Sequence, residues 1–408
     1  VNGTNANGAL ESDRRMRALA LAQHARVLIG IRQWWLLAVN GDRSVPGGES
    51  LREGLRDLVN GLADHPSDLD PALDIAALLA PFWLSRGEWS EADRWFTRLL
   101  ALERGHVERR SEIARTLSVI ARNRGELERA RTLSDRALEY ARAGDDATLV
   151  ATALMTASGA CIAASDFERA ERLGNAAVEA AQALDDGLLF SRALQALAMA
   201  YLTGGKLARS REAYARCLAI DRDAAPITMS LAHLYDSIAM CCLYERDYPE
   251  ARVRAREALE RSRYEGSRVS EAWSQHHLAA VAWRLDEPHE AKLLTEQALE
   301  SALAVGYTMI LIREVEEVAS WLVARGHAFE AAVLVGGAES GRADLRAPHQ
   351  PFELRDVRER EERLALELRV ETRATARAIG KELSLPLVIE RMRAVLASLA
   401  PTDPRAAA

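Results

Sequence analysis

Apolar side chains fall three and four residues apart over most of this chain, and the helical segments they mark return in the same order about every forty residues. Between the segments lies a turn-like stretch that occurs seven times: R-G-E-W-S-E-A ending at Ala92, R-G-E-L-E-R-A at Ala130, S-D-F-E-R-A at Ala170, G-K-L-A-R-S at Ser210, R-D-Y-P-E-A at Ala251, D-E-P-H-E-A at Ala291 and R-G-H-A-F-E-A at Ala331. The steps run from 38 to 41 residues. A fixed period of this length marks stacked supersecondary units, none of which can bury its apolar face alone. The fold class predicted is all-α, a solenoid of about seven helical hairpins.

With the last residue of each stretch as origin, the columns read consistently. Thirteen residues earlier stand Leu79, Leu117, Ala157, Leu197, Ile238, Leu278 and Val318, and next to them Ala80, Ser118, Ser158, Ala198, Ala239, Ala279 and Ala319, small in every unit. Small side chains there let two antiparallel helices approach closely. A third column, Trp83, Ala121, Cys161, Tyr201, Cys242, Ala282 and Leu322, shares that face. The turn carries Gly87, Gly125, Gly205 and Gly326, with Ser165, Arg246 and Asp286 in the other units. Glycine there predicts a left-handed helix end. Asp166 and Asp247 are placed to cap the second helix, and Pro249 and Pro288 fall in its first turn. The second helix has Ala at the origin and, seven residues on, Ala137, Ala177, Ala258, Ala298 and Ala338, with Leu99 and Cys217 in the remaining units.

These columns resemble the tetratricopeptide (TPR) pattern, including its aromatic after the turn (Trp89, Phe167, Tyr248), although the period exceeds the usual thirty-four or so. Two stretches narrow the resemblance. Residues 77–96, A-L-L-A-P-F-W-L-S-R-G-E-W-S-E-A-D-R-W-F, and the closing A-A-V-L-V-G-G-A-E-S-G-R and A-I-G-K-E-L-S-L-P-L-V-I-E are similar to the C-terminal sensor region of LuxR-type and MalT-like signal-transduction ATPases. That resemblance spans residues 70–398 and implies a superhelical domain that receives an effector and passes the signal to an ATPase and a DNA-binding module. The chain lacks the G-x-x-x-x-G-K-[ST] of a phosphate-binding loop, and no helix-turn-helix follows the repeats. Two readings stay open, the sensor piece of a longer regulator and a free-standing relative.

The domain plan expected is a disordered tail at 1–9, N-terminal helices over 10–68 that pack on the solenoid through Trp34 and Trp35, seven repeats over 69–345, capping helices over 346–400 and a disordered tail at 401–408. The charged run R-D-V-R-E-R-E-E-R lies in the C-terminal cap.

Composition removes several functions. Fifty-three Lys and Arg against sixty Asp and Glu give a net charge of −7 with the signs mixed, which leaves no basic field for nucleic acid. Aromatics are 5% of the chain and Ala and Leu dominate, so helix is favoured over sheet. Cys161, Cys217, Cys241 and Cys242 lack metal-ligand spacing and read as buried thiols. No secretion signal or membrane span is evident, and a cytoplasmic location follows.

In the TPR arrangement the first helix of each hairpin lines the inner wall. Register places Arg192, Gln195 and Met199 there from repeat four, His233, Asp236 and Met240 from repeat five, Trp273, His276 and Trp283 from repeat six, and Arg313 and Glu316 from repeat seven. This mixture of aromatics, methionines and converging polar groups suits a groove for a peptide, partner protein or small effector. Arg115, Arg122 and Asn123 add a basic patch from repeat two. No metal, cofactor or catalytic residue is expected: His233, Asp236, His276 and His277 stand on different repeats without a ligand motif, and no nucleophile motif occurs. The competing readings are a scaffold that forms homo-oligomers and, further off, a groove enzyme with an Asp236–His276 acid–base pair.

Overall fold

A computed structural model describes residues 12–23, 48–62, 64–86, 89–223, 231–265 and 267–399. Those residues form nineteen α-helices and a single 3-10 turn, Pro66–Asp68, with no strand among them. The expected end tails and Trp34 and Trp35 lie outside the described residues. The chain divides into two compact units, Val1–Ala200 and Tyr201–Ala408.

In the first unit, α1 (12–23) and α2 (Gly48–Gly61) precede the hairpins α3 (Leu69–Arg86) with α4 (Trp89–Leu100), α5 (Val107–Asn123) with α6 (Leu127–Ala143), and α7 (Ala147–Ala163) with α8 (Phe167–Gln182); α9 (Gly187–Thr203) carries the chain out of it. Ala18, Leu51, Leu55 and Leu58 share a core with Ile75 and Leu78 of α3, and Arg15 grips Asp68 through two bonds of 2.6 and 2.8 Å. In the second unit α10 (Leu207–Asp223) leads to the hairpins α11 (Leu231–Glu245) with α12 (Tyr248–Glu265), α13 (Arg268–Arg284) with α14 (Pro288–Val305), and α15 (Thr308–Ala324) with α16 (Ala328–Asp344). Three further helices close it: α17 (Leu354–Glu367), α18 (Val370–Glu382) and α19 (Leu385–Ser398). Within each unit a first helix packs on its own second helix and on the first helix of the next hairpin, as α5 does on α7, α11 on α13 and α13 on α15. First helices therefore share one face.

The sequence register holds in the packing. Every member of the small column, from Ala80 to Ala319, is buried. Where that residue is serine its hydroxyl has a use: Ser118 Oγ donates to the Ala130 carbonyl at 2.7 Å and Ser158 Oγ to that of Ala170 at 2.8 Å, tying the small column to the origin column of the second helix. A buried hydroxyl without that acceptor would be destabilising.

The turns follow the same logic. Gly125, Gly205 and Gly326 have φ of 74, 78 and 82°, and Ser165, Arg246 and Asp286 take the same left-handed conformation at 60, 68 and 60°. In each case the next residue's amide reaches back to the third column, as Glu126 N does to Ala121 O and Asp247 N to Cys242 O, both at 2.9 Å. This six-to-one bond closes the first helix. Asp166 and Asp247 then accept from the amides of Arg169 and Glu250, at 3.2 and 3.4 Å.

The glycines of the closing motif explain how the second unit ends. A Cβ at Gly336 would collide with the Arg377 carbonyl, and one at Gly380 with the Val333 carbonyl, so α16 and α18 meet backbone to backbone. All four cysteines are free and buried, and burial pushes the Cys241 thiol up to about 12. Among the described residues no helix is long and apolar enough to cross a membrane.

Candidate functional site

In the second unit the shared face of α11, α13 and α15 does not lie open. Residues 346–367, the approach to α17 and α17 itself, run across it. Phe352 packs edge-on against Tyr244, ring centres 4.7 Å apart, and Leu364 is fully buried. The remaining contacts are charged. Glu353 meets Arg313 at 2.8 Å and Arg342 at 3.0 Å, Asp356 meets Arg284 at 2.8 Å, and Glu359 meets Arg246 at 2.5 Å. Arg355 donates to the Tyr244 carbonyl. An acidic strap thus answers a row of arginines presented by three successive repeats.

Burial works against the charge on Glu353, but Arg313 and Arg342 outweigh it and hold the carboxyl below its usual range. Burial likewise opposes the charge on Arg313, and Tyr244, Glu353 and nearby glutamates more than offset it, so the guanidinium stays protonated. Arg342 also makes a two-pronged bond to Glu316, at 2.7 and 2.8 Å. Glu316, His349 and Glu353 bring donor atoms within 4.8 Å of one another, the one such cluster among the described residues. Arg342 and Arg313 already neutralise both carboxylates, so guanidinium groups occupy the electrostatic role a cation would have.

Where the strap leaves the repeats a cleft of about 410 Å³ remains. Its walls include Tyr248, Trp283, Ser320 and Trp321 from the repeats and His349, Arg360 and Arg363 from the strap. Two left-handed turn residues stand on its rim: Arg246, which holds Glu359, and Asp286, which accepts from Trp321 Nε1 at 3.1 Å and pairs with Arg325.

Behind the face lies a second polar system, fully buried. Trp283 Nε1 donates to Thr295 Oγ1 at 3.0 Å, Thr295 Oγ1 donates to Glu314 Oε2 at 2.9 Å, and Glu314 Oε1 lies 2.8 Å from His276 Nδ1. Burial pushes Glu314 well up and His276 well down, the latter helped by His277, Arg313 and Arg284. Both shifts favour the uncharged form of each partner. His277 Nδ1 lies 2.8 Å from Asp236. The structure thus pairs Asp236 with His277 and His276 with Glu314, which corrects the Asp236–His276 acid–base pair expected from the sequence: one helical step separates the two imidazoles, and register alone does not tell which faces α11.

The groove residues named from register separate by depth. Arg192, Gln195 and Met199 are half-buried on α9, and His233 and Met240 half-buried on α11. Trp273 is half-buried, with Arg313 5.5 Å from its ring centre. Asp236, His276, Trp283 and Arg313 are buried, and Glu316 is half-buried beneath Arg342. Trp283 belongs to the core of the second unit, 4.9 Å from Trp321 between ring centres, though its edge reaches the cleft. The second unit brings together Trp283, Arg313 and Glu316 about the strap, with Asp236 and His276 behind. Sequence reasoning missed Trp321, Ser320, Glu353 and Arg360. Ser320 stands in the same inner column as Met199 and Met240 but was not singled out, Trp321 falls outside the columns taken as inner, and the charged run holding Arg360 carries no sign of what it pairs with.

No protein-family model matches the chain, and no curated protein sequence matches it. Solved structures do. RapI in its apo form is 12% identical with a TM-score of 0.56, over 68% of this chain and 99% of RapI. A Rap protein complexed with Competence and Sporulation Factor is 12% identical at 0.54, over 85% of this chain and all of that one. A signal-transduction ATPase with a tetratricopeptide repeat sensor, PH0952 from Pyrococcus horikoshii, is 15% identical at 0.50; the match covers 87% of this chain and 56% of that protein. At these identities the likeness speaks for the fold alone. The chain has the fold of a TPR-like helical repeat protein.

Proposed function

We propose that this chain is a non-catalytic binding module that receives a peptide segment of a partner in the cleft between repeats five to seven and the C-terminal strap. The observation that carries the reading is the strap itself. Residues 349–363 already lie on the first-helix face as a charged, extended-to-helical segment, held by arginines from successive repeats, so that face is built to hold polypeptide. Beside it the cleft offers an aromatic wall, Tyr248 and Trp321, and polar groups from both sides, the composition of a peptide site. The Rap structure with Competence and Sporulation Factor supports a ligand-receiving role, and the repeat sensor of PH0952 supports a place in signalling, in keeping with the resemblance to ATPase regulators. Free buried thiols suit a reducing compartment such as the cytoplasm.

The test is selection of binders from a random dodecapeptide library on the immobilised chain, followed by cross-linking and mass spectrometry. Cross-links concentrated on residues 320–325 and 349–363 are expected. A library without binders, or cross-links confined to the first unit, contradicts the proposal.

A further inference from the structure

Arg360 is the exception in a network where charge is otherwise matched. It lies on α17, is 7% exposed, and lines the cleft. Its Nη1 reaches Ser320 Oγ at 3.5 Å, the long limit of a hydrogen bond, and its Nε is closed off from solvent with no acceptor. Among the described residues no carboxylate stands within ion-pair distance of Arg360, nor of Arg363 one turn further on, which is exposed along the same cleft. The carboxylates of the cleft are all engaged elsewhere: Asp286 by Arg325, Glu316 by Arg342, Glu317 and Asp356 by Arg284, Glu353 by Arg313, Glu359 by Arg246. Buried arginine can also be satisfied by an aromatic ring, as Arg110 is over Tyr140 at 4.2 Å, but Arg360 has no such ring beneath it. A guanidinium taken out of water without an anion is strongly unfavourable, and an anion from outside the chain would resolve it.

We propose that Arg360 and Arg363 form an anion subsite of the cleft that takes a carboxylate of the bound peptide, an aspartate or glutamate side chain or its terminus. The inference rests on reading the cleft as the recognition site of the module. A carboxylate fits better than a phosphate for two reasons. Its two oxygens match the fork that a guanidinium presents, and its single charge matches the one buried guanidinium of the cleft that, among the described residues, lacks an ion pair. Burial, with Arg342 and Arg360, lowers His349 against the pull of Glu316 and Glu353, so a carboxylate seated at Arg360 shifts the His349 titration upward.

The experiment uses the full chain and three probes: acetyl-Ala-Ala-Glu-Ala-Ala-amide, the same peptide with Gln for Glu, and inorganic phosphate. Binding is read from the NMR signal of the Arg360 side chain and the His349 ring, alongside thermal unfolding of the wild type and of Arg360→Met. The Glu peptide is expected to move both signals and raise the His349 titration point, with affinity at least about tenfold above the Gln peptide and lost by about the same factor in Arg360→Met. Without ligand, Arg360→Met should melt no lower than the wild type, because it removes an unmatched charge. The proposal is overturned if Arg360→Met melts markedly lower, if Glu and Gln peptides bind alike, or if phosphate binds as tightly as the Glu peptide. Library peptides that bind the cleft equally well in Arg360→Met would sink the subsite and leave the module reading intact; a responsive Arg360 without any library binder would do the reverse.

Discussion

Arg192 and Arg313 stand in the same column, eighteen residues before the origins Ser210 and Ala331, on first helices in different units. Burial, then the charge of Arg115, pushes Arg192 down to about 10, and Asp186 offsets only part of this. Arg313 is more deeply buried and is nonetheless raised, because Tyr244 and Glu353 sit against it. One repeat position thus supports opposite electrostatics. The difference is the local field: in the second unit the strap brings Glu353, Asp356 and Glu359 to the first-helix face, whereas in the first unit Arg192 feels the like charge of Arg115, which Asp186 offsets only in part. A helical repeat sets where side chains stand, and at this column the charge partner that distinguishes Arg313 comes from the strap.

The largest expected effect of breaking this contrast is at Glu353. Glu353→Gln leaves Arg313 and Arg342 enclosed without their shared anion and should lower the stability of the chain by about 3–5 kcal/mol in urea unfolding at neutral pH. Because the folded carboxyl is held below its ordinary value, its contribution is present above that value and disappears as pH falls through the folded one. The gap between wild type and variant should therefore close in acid. A gap that is flat with pH would mean that Glu353 acts through packing.

Overpacking the small column comes next. Ala239→Leu and Ala198→Leu should each cost about 1–3 kcal/mol, one in each unit, whereas Gln195→Leu should be nearly neutral. Equal costs at Ala198 and Gln195 would show a shifted register.

The buried Trp283–Thr295–Glu314–His276 chain is found only in the second unit among the described residues, and it gives a smaller, pH-dependent effect. Glu314 has a raised folded pKa, so its contribution is complete at low pH and is lost as pH rises above its ordinary 4.5. Glu314→Gln keeps a neutral group of the same shape. The variant should gain on the wild type in chemical unfolding from pH 5 to pH 8, and a difference that stays flat over that interval would mean the carboxylate is charged when folded.

The smallest effect separates the turns. Ser165→Gly relieves a left-handed serine and should change stability by no more than about 1 kcal/mol, in the stabilising direction. Asp286→Gly relieves the same strain but removes the partner of Trp321 and Arg325, and should come out less stable than Ser165→Gly by unfolding midpoint.

The hairpin fold was legible because it rests on columns that repeat. Ser118 and Ser158 fit the small column, and the structure gives each the same acceptor. Even the departures at Ser165, Arg246 and Asp286 keep the left-handed turn, since the helices on either side are placed by the same register. The site was legible only in part. Register put Arg313 and Glu316 on the first-helix face, but it also placed Trp283 and His276 there, and both are buried because the neighbouring repeat and the strap close over them. Asp356, Glu359 and Arg360 lie in a charged run that occurs once, and Glu353 just precedes it. With no second copy to compare, its alternation of signs reads as a solvated cap, and only the fold reveals which arginines it meets.

The strap is a charge-held occupant of the repeat face, distinct from the glycine-seated helix that follows it. Hydrogen–deuterium exchange of the wild type and Glu353→Gln under native conditions tests this directly. Faster exchange confined to residues 354–364 and the facing end of α15, with α18 at 370–382 unchanged, is the predicted result; unchanged exchange in α17, or equal loosening of α17 and α18, would contradict it.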